Sequence, residues 1–271
     1  MLATAACGGA GGGGASSTPF PRDRVIRVND VQVRGTHNSY VPPLPPLERQ
    51  LDEGIRQLEI DAWPQADGGF AVYHSAQDKR STCPTLDACL APVRAWLSAH
   101  PRALPVFLII ENKGAPAAPA IDAVVRAALP GRLLVNPREV VGGRWPTLAS
   151  TRGRAIAVLI GLGADVYSPS SAMFVYTSSG PHAAITSRPD PVAQAGDIAT
   201  FVRAGLVVRT QADGDNLLID PKRRDAAAAS GAQIVSARDD GFLLPGGVSF
   251  RCDPVVPSPC RPGDLELPPG S

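Results

Sequence analysis

Charge of either sign is not in excess in this sequence: 26 basic residues stand against 25 acidic ones, for a formal net charge of +1. They are spread along the chain, which excludes a basic patch for nucleic acid or for an anionic membrane surface, so any recognition of phosphate has to be local. Aromatic residues make up only 5% of the chain, with no ridge of them for docking on a bilayer. No apolar run is long enough to cross one. Histidine occurs four times, and neither close pair of cysteines has the Cys-x-x-Cys spacing of a zinc or redox site. What remains is a globular composition. The 271 residues, 44% hydrophobic and 19% charged, can bury a substantial core as one large domain or two small ones. The 27 glycines and 28 prolines indicate many loops joining short elements.

The first residues read as unfolded. Gly8 to Ser17 is nearly all Gly, Ala and Ser, a flexible tether with nothing to bury. Before it, Leu2-Ala3-Thr4-Ala5-Ala6-Cys7 resembles the end of a bacterial lipoprotein signal, in which Cys7 would carry the lipid; the charged and apolar regions of a full signal are missing. The competing reading is an unstructured cytosolic leader with an incidental cysteine. Residues 1–29 are therefore assigned to signal and tether, and 30–271 to the folded domain. Cys83 with Cys89 and Cys252 with Cys260 form two close pairs in Pro-containing loops, where local disulfides are expected, although four free thiols stay open. Disulfides persist outside the cytosol, so a secreted or envelope-anchored protein is expected.

From about Asp30 onward, short Val/Ile/Leu runs alternate with helical stretches. Strands are expected at Val31–Gly35, Ile55–Asp61, Phe70–His74, Val106–Glu111, Ala155–Ile160, Met173–Thr177, Leu206–Thr210 and Gln233–Ser236. Helices are expected at Leu86–Ala99, Ala117–Leu129, Pro191–Ala204 and Pro221–Ser230, with Asp, Pro or Ser near their starts. Eight strands alternating with helices fit an α/β fold of the (β/α)8 TIM barrel kind, irregular after strand two, where no helix is evident. A doubly wound open sheet competes with it.

Polar residues fall where those strands end: His37-Asn38 after the first, Glu59 and Asp61 in the second, His74 in the third, and Glu111 with Lys113 at the fourth. In a barrel such positions converge on the C-terminal mouth, where active sites lie. Residues two apart in a strand point the same way, so Leu58 and Ile60 can face the helices while Glu59 and Asp61 face the interior. Two adjacent carboxylates repel and are costly to bury unless a cation sits between them. With Glu111 as a third carboxylate and Asn38 as an amide oxygen, the set of hard oxygens suits Ca²⁺ or Mg²⁺ rather than zinc. The structural alternative pairs Glu59 and Asp61 with Arg34 or Arg56. His37 and His74 beside these carboxylates can act as base and acid on a phosphodiester, since imidazole exchanges protons near neutral pH.

Gly-Thr-His37-Asn38-Ser-Tyr, Gln50-Leu-Asp-Glu-Gly-Ile-Arg56-Gln-Leu-Glu59-Ile-Asp61, Val-Tyr-His74 and Phe-Leu-Ile-Ile-Glu111-Asn-Lys113 resemble the calcium-dependent phosphatidylinositol-specific phospholipases C. Leu206-Val-Val-Arg209-Thr-Gln-Ala-Asp213-Gly-Asp215 and Arg251-Cys252-Asp-Pro with Cys260 resemble later segments of the bacterial group. The resemblance implies Ca²⁺ ligands at Asn38, Glu59, Asp61 and Glu111, His37 as base-like or phosphate-stabilising group, and His74 as general acid. It implies attack by the inositol 2-hydroxyl, and contact of Lys113, and more weakly Arg209 and Asp213, with phosphate or headgroup. A phospholipid or glycerophosphodiester substrate, transient membrane contact and a monomer are expected. The chain departs from the group at Ser236-Ala-Arg-Asp-Asp, which bears on headgroup specificity. Glycerophosphodiesterases are the rival enzyme class, and a non-catalytic surface lipoprotein is the rival outside enzymes.

Overall fold

The computed structural model describes residues 20–114, 117–165, 167, 172–214 and 219–265. Its frame is a ring of eight parallel strands: β1 (Val31–Thr36), β2 (Gln57–Pro64), β4 (Val106–Asn112), β5 (Ala155–Gly161), β6 (Phe174–Val175), β7 (Ile185–Ser187), β8 (Val207–Gln211) and β9 (Ile234–Ala237). Hydrogen-bonded neighbours run from β6 through β5, β4, β2, β1, β9 and β8 to β7. A parallel bridge between Tyr176 and Ile185 brings the two ends together, so the sheet nearly closes as a barrel. The open-sheet alternative is excluded by that closure.

Alternation of side chains builds two layers. Leu58, Ile60, Leu108, Ile110, Ala157 and Leu159 point outward and pack with α1 (Leu47–Asp52), α2 (Leu86–Ala99) and α3 (Ala118–Ala128). Val33, Phe107, Ile109, Ile156, Val158, Phe174, Ile185, Val207 and Ile234 fill the interior. Two consecutive apolar residues in a strand thus serve two different cores, which is why these strands read as unbroken apolar runs. The remaining helices are α4 (Leu148–Thr151), α5 (Ala195–Arg203) and α6 (Pro221–Ala229). Thr85 and Asp220 cap α2 and α6 by accepting from the Ala88 and Lys222 N–H groups. Among the described residues, no helix separates β5 from β6 or β6 from β7.

Two expected features are corrected. The run Phe70–His74 is not a barrel strand: Phe70–Val72 (β3) folds back antiparallel on Ala62–Pro64 of β2 as a hairpin. The eighth stave is instead Ile185–Ser187, three residues too few to stand out as a strand in sequence. The irregularity after the second strand is thus this hairpin, inserted before α2. A tenth strand, β10 (Phe250–Cys252), pairs antiparallel with Val31–Val33 of β1. The domain also begins earlier than residue 30, because Phe20, Ile26 and Val28 are buried, and Ile26 and Val28 pack with Leu104, Trp145 and Leu148. Cys7 and the Gly/Ser tether lie outside the described residues.

Both expected disulfides are present, Cys83–Cys89 and Cys252–Cys260, closing loops of 6 and 8 residues. Each should restrict the unfolded chain by about 2 kcal/mol. Replacing Cys252 and Cys260 together with Ser is expected to lower the urea midpoint accordingly, and an unchanged midpoint would contradict that contribution. No helix among the described residues is long and apolar enough to cross a membrane.

Candidate active site

The site grows from the turn after β1. Asn38 has φ 53°, a left-handed conformation that asparagine tolerates better than most side chains, and it reverses the chain so that His37 and Asn38 stay at the mouth. Ser39 ties this turn to β2: its N–H donates to the Glu59 carbonyl at 3.0 Å, and its Oγ accepts from the Glu59 N–H at 2.7 Å. Gln50 Nε2 donates to the Ser39 carbonyl at 2.6 Å, and Thr36 Oγ1 donates to Gln50 Oε1 at 2.7 Å. Gly35 is required where β1 meets β2, since a Cβ there would lie 2.2 Å from Gln57 Oε1.

On β2 the inward positions are Gln57, Glu59 and Asp61, and Asp61 sits opposite Glu111 of β4 in parallel register. Carboxylate oxygens of Glu59, Asp61 and Glu111 all lie within 4.8 Å of one another. His37 Nε2 is 3.9 Å from Glu59 Oε1. The β3 hairpin delivers His74 from the other side, with Nδ1 3.6 Å from Asp61 Oδ2 and 3.2 Å from Asn38 Nδ2. Trp63 and Tyr73 stiffen the hairpin, their rings stacked at 5.1 Å and the indole N–H donating to the Tyr73 carbonyl at 2.8 Å. Six of the nine residues singled out from the sequence (His37, Asn38, Glu59, Asp61, His74 and Glu111) therefore meet at one mouth, and Lys113 joins them.

Asp61 is the electrostatic centre. It is fully buried, and neither carboxylate oxygen accepts a hydrogen bond of ordinary geometry among the described residues. Lys113 Nζ at 3.2 Å and His74 Nδ1 at 3.6 Å approach Oδ2. Burial pushes the Asp61 carboxyl up to about 7; Lys113 opposes the shift, while Glu111 and Glu59 add to it. Such a group is short of positive charge. The Tyr40 hydroxyl faces the same carboxylate; burial first, then the Asp61 charge, pushes that phenol far above its ordinary value. A buried carboxylate close to two others, with no thiolate among them, fits a hard divalent cation held by oxygen.

Neither Arg34 nor Arg56 has the role the structural alternative gave it. Arg34 donates to the Phe242 carbonyl and Ser249 Oγ, while Arg56 donates to the carbonyls of Leu51 and Ile55. The partner of Glu59 is Arg209, which pairs with Glu59 Oε2 and donates to Ser236 Oγ at 2.9 Å. Burial alone would lower its pKa, but Glu59 and Tyr176 outweigh burial and raise it. Arg209 is only 3% exposed and paired with a carboxylate of the cluster. Asp213 is buried too, bound by Arg224 through both oxygens at 2.7 and 2.9 Å and by the Arg238 N–H at 2.9 Å. Arg209 and Asp213, from which headgroup contact was expected, are both engaged in internal ion pairs in this structure. Asp215 lies outside the described residues.

Sequence reasoning missed Tyr40, Ser39 and Tyr176. The first two stand inside the His37-Asn38-Ser39-Tyr40 stretch, where proximity was the available signal; Tyr176 gave none.

The family model described as calcium-dependent phosphoinositide phospholipase C matches residues 67–130 and 134–240, more than half of the chain. The match starts after Asp61, so His37, Asn38, Glu59 and Asp61 are brought to it by the fold. Among solved structures, the chain is similar to the calcium-dependent phosphoinositol-specific phospholipase C of a Pseudomonas species, with TM-score 0.68 and 17% identity over 87% of this chain and 99% of that one. It is similar to the Ca²⁺-dependent enzyme of Streptomyces antibioticus at TM-score 0.63 and 21% identity, over 80% and 96% of the two chains. The phosphatidylinositol-specific phospholipase C of Staphylococcus aureus follows at TM-score 0.57 and 12% identity, over 89% and 93%. At these identities the structural likeness establishes the fold. No curated protein matches the sequence.

Proposed function

Because the chain belongs to the calcium-dependent phosphoinositide phospholipase C family, and is thus a phosphodiesterase, we propose that it cleaves phosphatidylinositol-type phosphodiesters by intramolecular attack with two-histidine proton transfer. The observation that carries this reading is the meeting of three carboxylates within 4.8 Å, flanked by His37 and His74. Asn38, Glu59, Asp61 and Glu111 would hold Ca²⁺. When bound, the ion supplies positive charge against the phosphate oxygens and lowers the pKa of a coordinated hydroxyl.

His37, steered by Glu59, takes the proton of the inositol 2-hydroxyl or steadies the phosphate. The 2-oxygen bonds to phosphorus, the bond from phosphorus to the glycerol oxygen breaks, and His74 gives that oxygen its proton. The products are a cyclic inositol phosphate and diacylglycerol. His74 is the more exposed of the two, its side chain 48% accessible against 19% for His37, as suits the group that meets a departing lipid. Lys113 serves the substrate phosphate. The protein meets the membrane transiently, and its two disulfides fit an oxidising compartment outside the cytosol. Retention there through a lipid on Cys7 extends the same reading.

The test is turnover of phosphatidylinositol and of glycerophosphodiesters with Ca²⁺ or EDTA, with products followed by ³¹P NMR. Cyclic inositol phosphate should form from phosphatidylinositol with Ca²⁺, and EDTA should reduce the rate at least about 100-fold. Cleavage indifferent to EDTA, or glycerophosphodiesters giving only a linear phosphate, would overturn the reading.

A further inference from the structure

Two protein cations already sit among the three carboxylates, and they differ in freedom. Arg209 is fixed, with a side chain 4% exposed and locked between Glu59 and Ser236. Lys113 is held only by its tip: Nζ lies 2.9 Å from Glu111 Oε2 and 3.2 Å from Asp61 Oδ2, and its side chain is 21% exposed. Its main chain is pinned, the N–H donating to the Ala62 carbonyl at 3.0 Å, so the flexible four-carbon stem alone decides where the ammonium goes.

The ammonium thus rests on two of the carboxylates assigned to the metal. With all three carboxylates ionised, Arg209 and Lys113 leave the cluster one negative charge in excess. A divalent ion beside Lys113 would make it one positive charge in excess, whereas a divalent ion in place of Lys113 makes it neutral. Like charges crowded onto the same oxygens repel strongly in a poorly solvated site.

Resting on the calcium-site reading above, we propose that Lys113 is a tethered competitor of the divalent cation: its ammonium occupies Asp61 and Glu111 in the metal-free protein and must leave them for the metal to bind. The affinity of the site is then set by this exchange as well as by its ligands. The released ammonium stays on its stem at the mouth, beside the place where the substrate phosphate is expected.

Calcium binding to the substrate-free protein, measured by isothermal titration calorimetry, tests this in wild type, Lys113→Met, Lys113→Gln and Lys113→Arg. Removing the competing charge should tighten binding by about tenfold or more in the Met and Gln variants, while Arg, which keeps the charge, stays at or below wild-type affinity. The metal-free Met variant should also melt below wild type and gain more from saturating Ca²⁺. Equal or weaker binding in both neutral variants, with wild-type circular dichroism in saturating Ca²⁺, overturns the exchange and leaves the calcium site standing. Absence of binding in wild type and variants alike overturns both.

Discussion

Replacing His74 with Ala is expected to lower kcat on phosphatidylinositol by about 10² to 10⁴-fold with little change in KM, the range for losing one positioned proton donor. The same fall is expected for His37→Ala, yet the two losses should respond differently to the substrate. An inositol phosphodiester with a nitrophenol leaving group needs no proton on the departing oxygen, so most of the His74→Ala defect should vanish on it. The His37→Ala defect should persist, because the attacking hydroxyl is unchanged. Each single variant should also lose one limb of a bell-shaped pH profile of kcat/KM. The geometry behind this separation is the different anchoring of the two rings, His37 beside Glu59 after β1 and His74 after the β3 hairpin beside Asp61. Equal defects on both substrates would mean that His74 does not protonate the leaving group.

Much of this site could be read without coordinates because it rests on strand parity. Glu59 and Asp61 alternate with Leu58 and Ile60, and Glu111 was expected beside them because it too ends a strand; the parallel register sets it opposite Asp61. His74 does lie beside Asp61 and Asn38, but it is not carried there by a barrel strand. Phe70-Ala71-Val72 has the composition of a strand, but whether a strand joins a barrel or folds back as a hairpin depends on its partner. Ile185–Ser187 shows the converse: three residues of unremarkable sequence become a stave because β8 and Tyr176 offer hydrogen bonds on either side. Lys113 was correctly expected at the mouth, but its contact with Asp61 and Glu111 depends on a side-chain conformation that spacing does not encode.

Arg209 is where parity was insufficient, and it leads to the second large effect. Val207 belongs to the interior core, so Arg209, two residues on, was bound to point inward. What spacing leaves undetermined is depth, because an inward arginine can reach up to substrate or stay under the ligands. Here it is buried, paired with Glu59 and held by Ser236, whose Oγ donates in turn to Gln57 Oε1. Arg209→Met removes the counter-charge from a carboxylate whose side chain is 3% exposed. Breaking a buried pair from one side should cost about 3–5 kcal/mol of stability, a drop in Tm of about 10 °C for a chain of this size. Glu59→Gln on top of Arg209→Met removes the stranded charge and should restore most of the loss, although the double variant stays inactive because a proposed calcium ligand is gone. Saturating Ca²⁺ should raise the Tm of Arg209→Met more than that of wild type, since the ion then supplies the positive charge that Glu59 lacks. A double variant no more stable than Arg209→Met would show that the arginine acts through packing and hydrogen bonding in the barrel rather than through the charge of Glu59.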